Sequence, residues 1–395
     1  MSALLPVEEA QAQLFGIAEP LPGETLPLIA ALGRYLAAPL VAQRTQPAAD
    51  LSAMDGYAIR FADLPGPWRQ TGSIAAGSFP DRPLGTRETM RIFTGAPLPT
   101  GADTVLIQED AAASADIVAL TGTGPSARGQ HVRPAGSDFS SGTMLAAAGT
   151  RLAPGLIALA AMAGHAALAV GRAPRVALIS TGDELVDPGA PLAPGQIPNS
   201  NAPMLAALLA SVPAILGTVQ RIGDDRAATI AAVRAAGATH DVIVTLGGAS
   251  VGDHDHIHAA MTSLGAPPAF WKIAMRPGKP LLAGRVGDAV LLGLPGNPAS
   301  AFVTAHLFLL PLIRHLAGAA DPLPDVAHAA LAADLEPGGP RRDYLRAVVA
   351  NGTITPFGHQ DSGLTTTLAA ASALLIREAG APPRAAGTMA PYIAL

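Results

Sequence analysis

Three short strings near the middle of this 395-residue sequence gather glycine with small polar side chains in the way an anion site requires. They are Thr181-Gly182-Asp183-Glu184, Gly247-Gly248-Ala249-Ser250-Val251-Gly252 and Pro295-Gly296-Asn297-Pro298-Ala299-Ser300. Glycine lets backbone N–H groups approach an oxyanion closely, and a helix N-terminus adds unpaired donors and a favourable dipole. In the third string Asn297 is placed to cap a helix, with Pro298 at its first position. A single string of this kind is as often an ordinary tight turn. Three on one edge of a sheet make a ligand site the better reading.

Fixed charge accompanies them. Lys272, Arg276 and Lys279 lie four and three residues apart in W-K-I-A-M-R-P-G-K-P, within a chain poor in lysine. Around a Pro-Gly turn they could converge on one oxyanion, the arginine as a planar fork and the lysines as point charges. A solvated basic loop is the plainer alternative, and the flanking Trp271, Ile273, Leu281 and Leu282 weaken it by tying the segment to a core. Carboxylates stand beside the same strings: Asp183 and Glu184, Asp224 and Asp225, Asp253 and Asp255. Acidic groups next to a phosphate call for a divalent cation, and magnesium binds through one or two carboxylates plus water and phosphate oxygens. Asp225 has a second role open to it, capping a helix that starts at Arg226. In the run D-H-D-H-I-H, His254 and His258 share a helix face at a spacing compatible with zinc or nickel. With nothing nearby to complete a site, they read as surface residues beside a functional aspartate.

Such residues need a scaffold that brings distant loops together. From Arg172 to about Gly318, R-V-A-L-I-S enters T-G-D-E-L, D-V-I-V-T-L enters G-G-A-S-V-G, and A-V-L-L-G-L enters P-G-N-P. Strand, glycine-rich turn and helix, repeated, predict a doubly wound parallel α/β sheet with ligands beyond the C-terminal strand ends. Asn201 is placed to cap a helix through Leu209, with Pro203 in its first turn. Upstream, Val7–Ile17 reads as a helix and Thr25–Arg34 as a mostly apolar strand. From about Arg44 to Asp138 short β-like runs (Met90–Phe93, Thr104–Gln108, Ile117–Leu120) alternate with Gly/Pro turns, the texture of a small β-rich module. A helix should start at Pro154 and a strand at Ala167. The tail beyond Pro324 is β-like again (Tyr344–Val349, Leu374–Arg377) and reads as a small barrel or sandwich.

Composition excludes several classes of function. Charged residues are 14 % of the chain and the net charge is −5, so no sequence-wide attraction to nucleic acid or to an anionic membrane is expected. With no cysteine, disulfides, thiolate nucleophiles and Cys-ligated metals are out, which fits a reducing cytoplasm. The N-terminus lacks a basic region before an apolar one, so no signal peptide is expected. Leu156–Val170 is too short to span a bilayer, and Ala301–Ile313, carrying His306 and Pro311, reads as a buried helix. The expectation is a soluble protein that stays where it is made.

Taken with Met54-Asp55-Gly56-Tyr57-Ala58, Phe93-Thr94-Gly95-Ala96-Pro97, Gly136-Ser137-Asp138 and Pro277-Gly278-Lys279-Pro280, these strings resemble the molybdopterin molybdenumtransferase family, bacterial MoeA and gephyrin-type E domains. Each string is weak alone, but in family order they run nearly end to end. The resemblance implies an elongated homodimer of four-domain subunits. Residues 1–43 and 139–171 would form a discontinuous linking and dimerisation domain, 44–138 an inserted β-rich domain, 172–320 a MogA-like α/β molybdopterin-binding domain, and 323–395 a C-terminal β-barrel.

The implied reaction inserts molybdate into adenylylated molybdopterin and releases AMP with the help of Mg2+. Carried over by motif, the functional positions are Asp55, Thr94, Asp138, Glu184, Asp224, Asp255, Lys272, Arg276, Lys279, Arg346 and Ser362. The last two rest on the shorter strings R-D-Y-L-R and H-Q-D-S-G. In this reading the cations and the turn Pro298–Ser300 hold molybdate or the pterin phosphate, Asp224 and Asp255 hold magnesium, and Glu184 positions that metal or a water. Where the family usually has lysine this chain has Arg276, and where it often has Glu-x-Asp this chain has Asp253-His254-Asp255. Implied partners are the upstream adenylyltransferase and the recipient molybdoenzymes. Two rival functions are an adenylyltransferase, which would need only the sheet domain, and a receptor-binding scaffold, which would need a hydrophobic peptide groove.

Overall fold

The computed structural model describes residues 4–247 and 256–395. Its centre is a six-stranded sheet in the order 215–222, 175–181, 242–246, 289–294, 282–286, 270–271. The first four strands are parallel, and the last two pairings, 289–294 with 282–286 and 282–286 with 270–271, are antiparallel. The expected doubly wound parallel sheet is present, and an antiparallel edge is added to it. There Gly287-Asp288, with Gly287 at φ +63°, turns a hairpin between 282–286 and 289–294, so no crossover helix intervenes.

Strands Val242–Leu246 and Ala289–Leu294 are buried at every residue, and Arg175–Thr181 at all but its first. Continuous apolar runs form such strands because both faces are covered. Val176 and Leu178 face one core, shared with helices Val7–Gly16, Asn201–Leu209 and Pro298–Thr304. Ala177 and Ile179 face the other, against Val233 and Ala236 of Arg226–Gly237 and Ile257 and Met261 of His256–Ser263. Truncating a leucine in such a core typically costs about 2–5 kcal/mol, so the two-sided burial fixes where the strand ends lie.

Helix Pro298–Thr304 continues through a π-helical stretch, Ala305–Leu309, into Leu310–Leu316. Proline explains the irregularity. Pro311 has no N–H, so the Leu307 carbonyl four residues earlier loses its ordinary partner. The buried Gln11 side chain of the N-terminal helix supplies one, its Nε2 donating to Leu307 O at 2.8 Å. Long and apolar as 298–316 is, it is a core helix of the sheet domain, largely buried along its length.

The β-rich segment forms its own six-stranded sheet, ordered 104–107, 56–59, 88–92, 68–74, 117–120, 111–114. Strand Gly23–Pro27 pairs with Ala167–Gly171, and Leu40–Val41 with Met144–Ala146, around a small core with Leu36, Leu152 and Ala160. The strand expected through Arg34 stops at Pro27, and turns follow with Ile29 90 % exposed. At the C-terminus, 342–350 pairs with both 353–356 and 373–377, and 389–394 joins 373–377 to 326–331, which returns to 353–356. The ring closes into a five-stranded barrel. Met275–Arg276 of the sheet domain adds to its rim, pairing in parallel with Arg342 and Asp343.

Candidate active site

The ends of the parallel strands open into a cavity of about 420 Å³, lined among others by Thr181, Glu184, Asn201, Gly247, Pro295, Gly296, Asn297, Pro298 and Ser300. Two of the three expected strings thus meet there, and the described part of the remaining one, Gly247, joins them. Gly247 has φ +87°, and a Cβ on it would lie 2.9 Å from Thr181 O and 3.0 Å from Thr181 Oγ1. Only glycine lets these two strand ends pack so closely. Gly182, at φ +144°, likewise has the Glu184 carboxylate where a Cβ would stand. Gly248, Ser250, Gly252, His254 and Asp255 lie outside the described residues.

Asn201 does not cap its helix as expected. Ser200 occupies the capping position, and Asn199 Oδ1 accepts the Ala202 N–H at 3.3 Å. The Asn201 side chain, 9 % exposed, instead donates from Nδ2 to Gly296 O at 2.6 Å and ties two of the loops together. Asn297 does precede a helix with Pro298 at its start, yet its side chain makes no capping bond. It reaches into the barrel domain, where Nδ2 donates to Ser362 Oγ at 3.1 Å, while the Ala299 N–H donates to Ser362 O at 2.9 Å.

A second cleft of about 330 Å³ adjoins the first through Pro280 and Ser300 and is lined by Arg276, Lys279, Arg341, Gln360, Asp361 and Ser362 as well. Arg276 and Lys279 converge there as their spacing predicts. Lys272 does not line it: its ammonium lies 4.1 Å from the centre of the Trp271 ring, a cation–π contact. Arg341, absent from the sequence expectation, takes a place beside the other two. Its Nη1 donates to Met275 O at 3.1 Å, and the pairing of 275–276 with 342–343 carries it in. Arg346 is 1 % exposed and lines neither cavity. Its Nε and Nη1 donate to Gln360 Oε1 at 3.2 Å and Asp361 O at 2.9 Å, so it shapes the loop that presents Ser362. Nη2 has no partner. Burial depresses the Arg346 pKa, as for any cation removed from water.

The carboxylates gather at the neighbouring strand ends. Asp183 Oδ1 accepts the Asp224 N–H at 3.1 Å, and Asp183, Glu184 and Asp224 are all exposed. Asp225 caps the helix Arg226–Gly237, accepting from Ala228 N at 2.7 Å, as expected. Among the described residues no group of three metal-ligating side chains converges. His258 is half-buried with its ring 5.5 Å from that of Trp271, so it is not the open surface residue expected.

In the β-rich module Asp55 and Thr94 form one unit. Asp55 Oδ1 accepts both the Thr94 N–H at 2.8 Å and its hydroxyl at 2.9 Å. The Thr94 backbone bond above all, then its hydroxyl, with a smaller contribution from Arg91, holds the Asp55 carboxyl below its ordinary value. Arg91 stacks over Tyr57 and Phe93 and donates from Nη1 to Gly56 O at 3.0 Å. Asp138 is exposed where the module rejoins the chain, its N–H donating to Gln46 O at 3.1 Å. None of these residues lines either cavity.

Comparison with known proteins gives this arrangement a family. The MoeA N-terminal region (domain I and II) matches residues 5–164, the "Probable molybdopterin binding domain" residues 177–315, and the MoeA C-terminal region (domain IV) residues 328–395. A molybdopterin molybdenumtransferase of Staphylococcus aureus (strain MSSA476) is 33 % identical over 387 residues, 95 % of this chain and 92 % of that protein. One from Bacillus subtilis is 34 % identical, covering 95 % of this chain and 90 % of its own length. The chain belongs to the molybdopterin molybdenumtransferase family. A crystal structure of a molybdopterin biosynthesis MoeA protein from Pyrococcus horikosii superposes with a TM-score of 0.82 at 28 % identity over 99 % of both chains. This molybdopterin molybdenumtransferase family member therefore has the MoeA multidomain fold, α/β with β-rich domains on either side, and is a transferase of molybdenum cofactor biosynthesis.

Proposed function

We propose that this enzyme inserts molybdate into adenylylated molybdopterin with release of AMP, at a site completed by two copies of the chain. The observation that carries the reading is the pair of adjoining cavities. One is formed by glycine-rich strand ends and has the volume of a small-molecule site; the other is lined by three cations and a serine beside a single carboxylate, Asp361, a net positive lining of the kind an oxyanion requires. The pterin nucleotide takes the first and molybdate the second, so that Pro280 and Ser300, common to both, lie between the reactants.

The chain's own part is binding, orientation and charge. Arg276 and Arg341 offer planar forks and Lys279 a point charge, together offsetting the doubly negative oxyanion. Ser362, anchored by Asn297 and Ala299, presents its loop to the same cleft. Beneath that loop, Arg346 holds its shape and adds positive potential. As two Mo–O bonds of molybdate give way to two Mo–S bonds with the pterin's dithiolene, the displaced oxygens leave at the level of water; one is consumed in breaking the phosphoanhydride P–O bond, so AMP departs and one water remains.

Magnesium fits the donor set at the carboxylate edge, because Asp183, Glu184 and Asp224 are exposed, and this ion binds through few carboxylates, water and phosphate oxygens. Bound there, with Asp255 as a further candidate ligand, it would draw charge from the phosphoanhydride and make AMP a better leaving group. The absence of cysteine accords with a reaction that needs no covalent enzyme intermediate and with a cytoplasmic location.

The β-rich domain supports a homodimer. Asp55, Thr94 and Asp138 line neither cavity of their own chain, so a second copy must present them if they act there. Two-fold symmetry would create two equivalent composite sites. The direct test is AMP release from adenylylated molybdopterin, with and without molybdate. Lys279→Ala should lower molybdate-dependent release about a hundredfold with unchanged thermal unfolding, since the side chain is exposed. Unchanged activity would remove the cationic cleft from the mechanism.

A further inference from the structure

Behind the cationic cleft lies a negative charge that the reaction as described does not use. Asp343 pairs across the barrel rim with Arg276 on one side and Arg377 on the other. Residues directly opposite in paired strands share a face, so Arg276, Asp343 and Arg377 form one cross-strand row. Arg276 is exposed in the cleft, whereas Asp343 and Arg377 are 6 % and 7 % exposed. Two residues upstream of Asp343, Arg341 enters the same cleft.

Among the described residues no ion pair joins Asp343 to any of these arginines, and its Oδ1 has no hydrogen-bond partner. Burial raises the Asp343 pKa, and the nearby positive charges of Arg276, then Arg341 and Arg377, oppose that rise. A carboxylate that bonds none of the three acts on them through its field and does not steer their side chains. In a desolvated rim that field is poorly screened.

We propose that Asp343 is a positioning residue of an electrostatic kind. From behind Arg276 and Arg341 it moderates the positive potential of the cleft, so that the oxyanion is held loosely enough to be handed on to the pterin. The proposal rests on the reading of that cleft as the molybdate site.

Asp343→Asn keeps the side chain's shape and removes its charge. Titration calorimetry of the full-length enzyme with molybdate, at fixed ionic strength, should show the Kd falling about fivefold, the order expected for one charge several ångströms away in a partly screened site. KM for molybdate should fall with it and kcat should not rise. Asp343→Glu, which retains the charge, should bind like wild type. If Asp343→Asn lacks the wild-type circular dichroism spectrum, Asp343→Ser is read in its place with the same expectation. Structural damage alone would weaken binding, so unchanged or weaker binding in the uncharged variant overturns the proposal. If wild type binds neither molybdate nor tungstate, the oxyanion reading itself falls and takes the proposal with it.

Discussion

A mixed dimer separates a shared site from a single-chain one. Asp55 sits on the β-rich domain with one carboxylate oxygen fixed by Thr94, and Lys279 sits in the cleft between sheet domain and barrel. Lys279 is exposed and Asp55 only half-buried, so Asp55→Ala and Lys279→Ala should each fold and each be inactive as homodimers. In a mixed dimer, a composite site built from the β-rich domain of one subunit and the cleft of the other is damaged twice at one site and intact at the other. After random re-pairing of equal amounts, half the dimers are mixed and each keeps one site of two, which gives about a quarter of wild-type activity. If all these residues served a site within one chain, every subunit would carry one lesion and nothing would be recovered. The assay is molybdate-dependent AMP release after subunit exchange, with the mixed species quantified by native mass spectrometry. Exchange without recovered activity would refute the composite site.

Gln11→Met should destabilise the protein by about 1–3 kcal/mol, because the Leu307 carbonyl is left buried and unpaired. In a Pro311→Ala background, where a backbone N–H is restored, the cost should shrink; an equal loss in both backgrounds by denaturant unfolding would disprove the account. Asp224→Asn should weaken the magnesium dependence of AMP release, and a wild-type titration would move the metal to Asp183 or Glu184. Thr94→Val removes one of the bonds that keep the Asp55 pKa below its ordinary 3.8. A depressed carboxylate stays ionised until the pH falls through its folded-state pKa, so the variant should lose its ionised form, and any activity that needs it, at higher pH. An acid limb of the pH–rate profile that does not move would free Asp55 from that role.

What could be read along the chain was local. The sheet strands and the Asp225 cap follow from runs of apolar residues meeting turn residues, and each is where its string predicts, as are the two glycine-rich ends that lie wholly among the described residues. Lys272 and Lys279 are the sequence's two lysines among 25 basic residues, a compositional signal for the segment that carries them. That signal could not tell the two apart, because the Trp271 ring that takes Lys272 is a matter of packing. Arg341 was hidden for a similar reason. It enters the cleft through the pairing of 275–276 with 342–343, a contact between segments far apart in sequence that no periodicity announces. Gly287-Asp288 between two apolar runs was a hairpin signal available to inspection, and it would have revealed the antiparallel edge. Asn201 shows the limit of cap rules: inside a buried first turn, its amide bonds a neighbouring loop carbonyl in preference to its own helix.

The bond between Gln11 and Leu307 spans 296 residues. At about 5–20 residues per second on a ribosome, the N-terminal helix waits about 15–60 s for its partner to be made. Until then Val7, Ala10 and Leu14 have no complete core to enter, since that core includes residues of the helix that ends at Leu316. The β-rich domain, whose sheet closes between residues 56 and 120, is free to fold long before. Synthesis therefore completes the core of the sheet domain well after the β-rich domain, with the apolar face of the N-terminal helix uncovered in the meantime. A nascent chain arrested before Pro298 carries that surface permanently, which makes truncated products of this gene targets for chaperones and proteases.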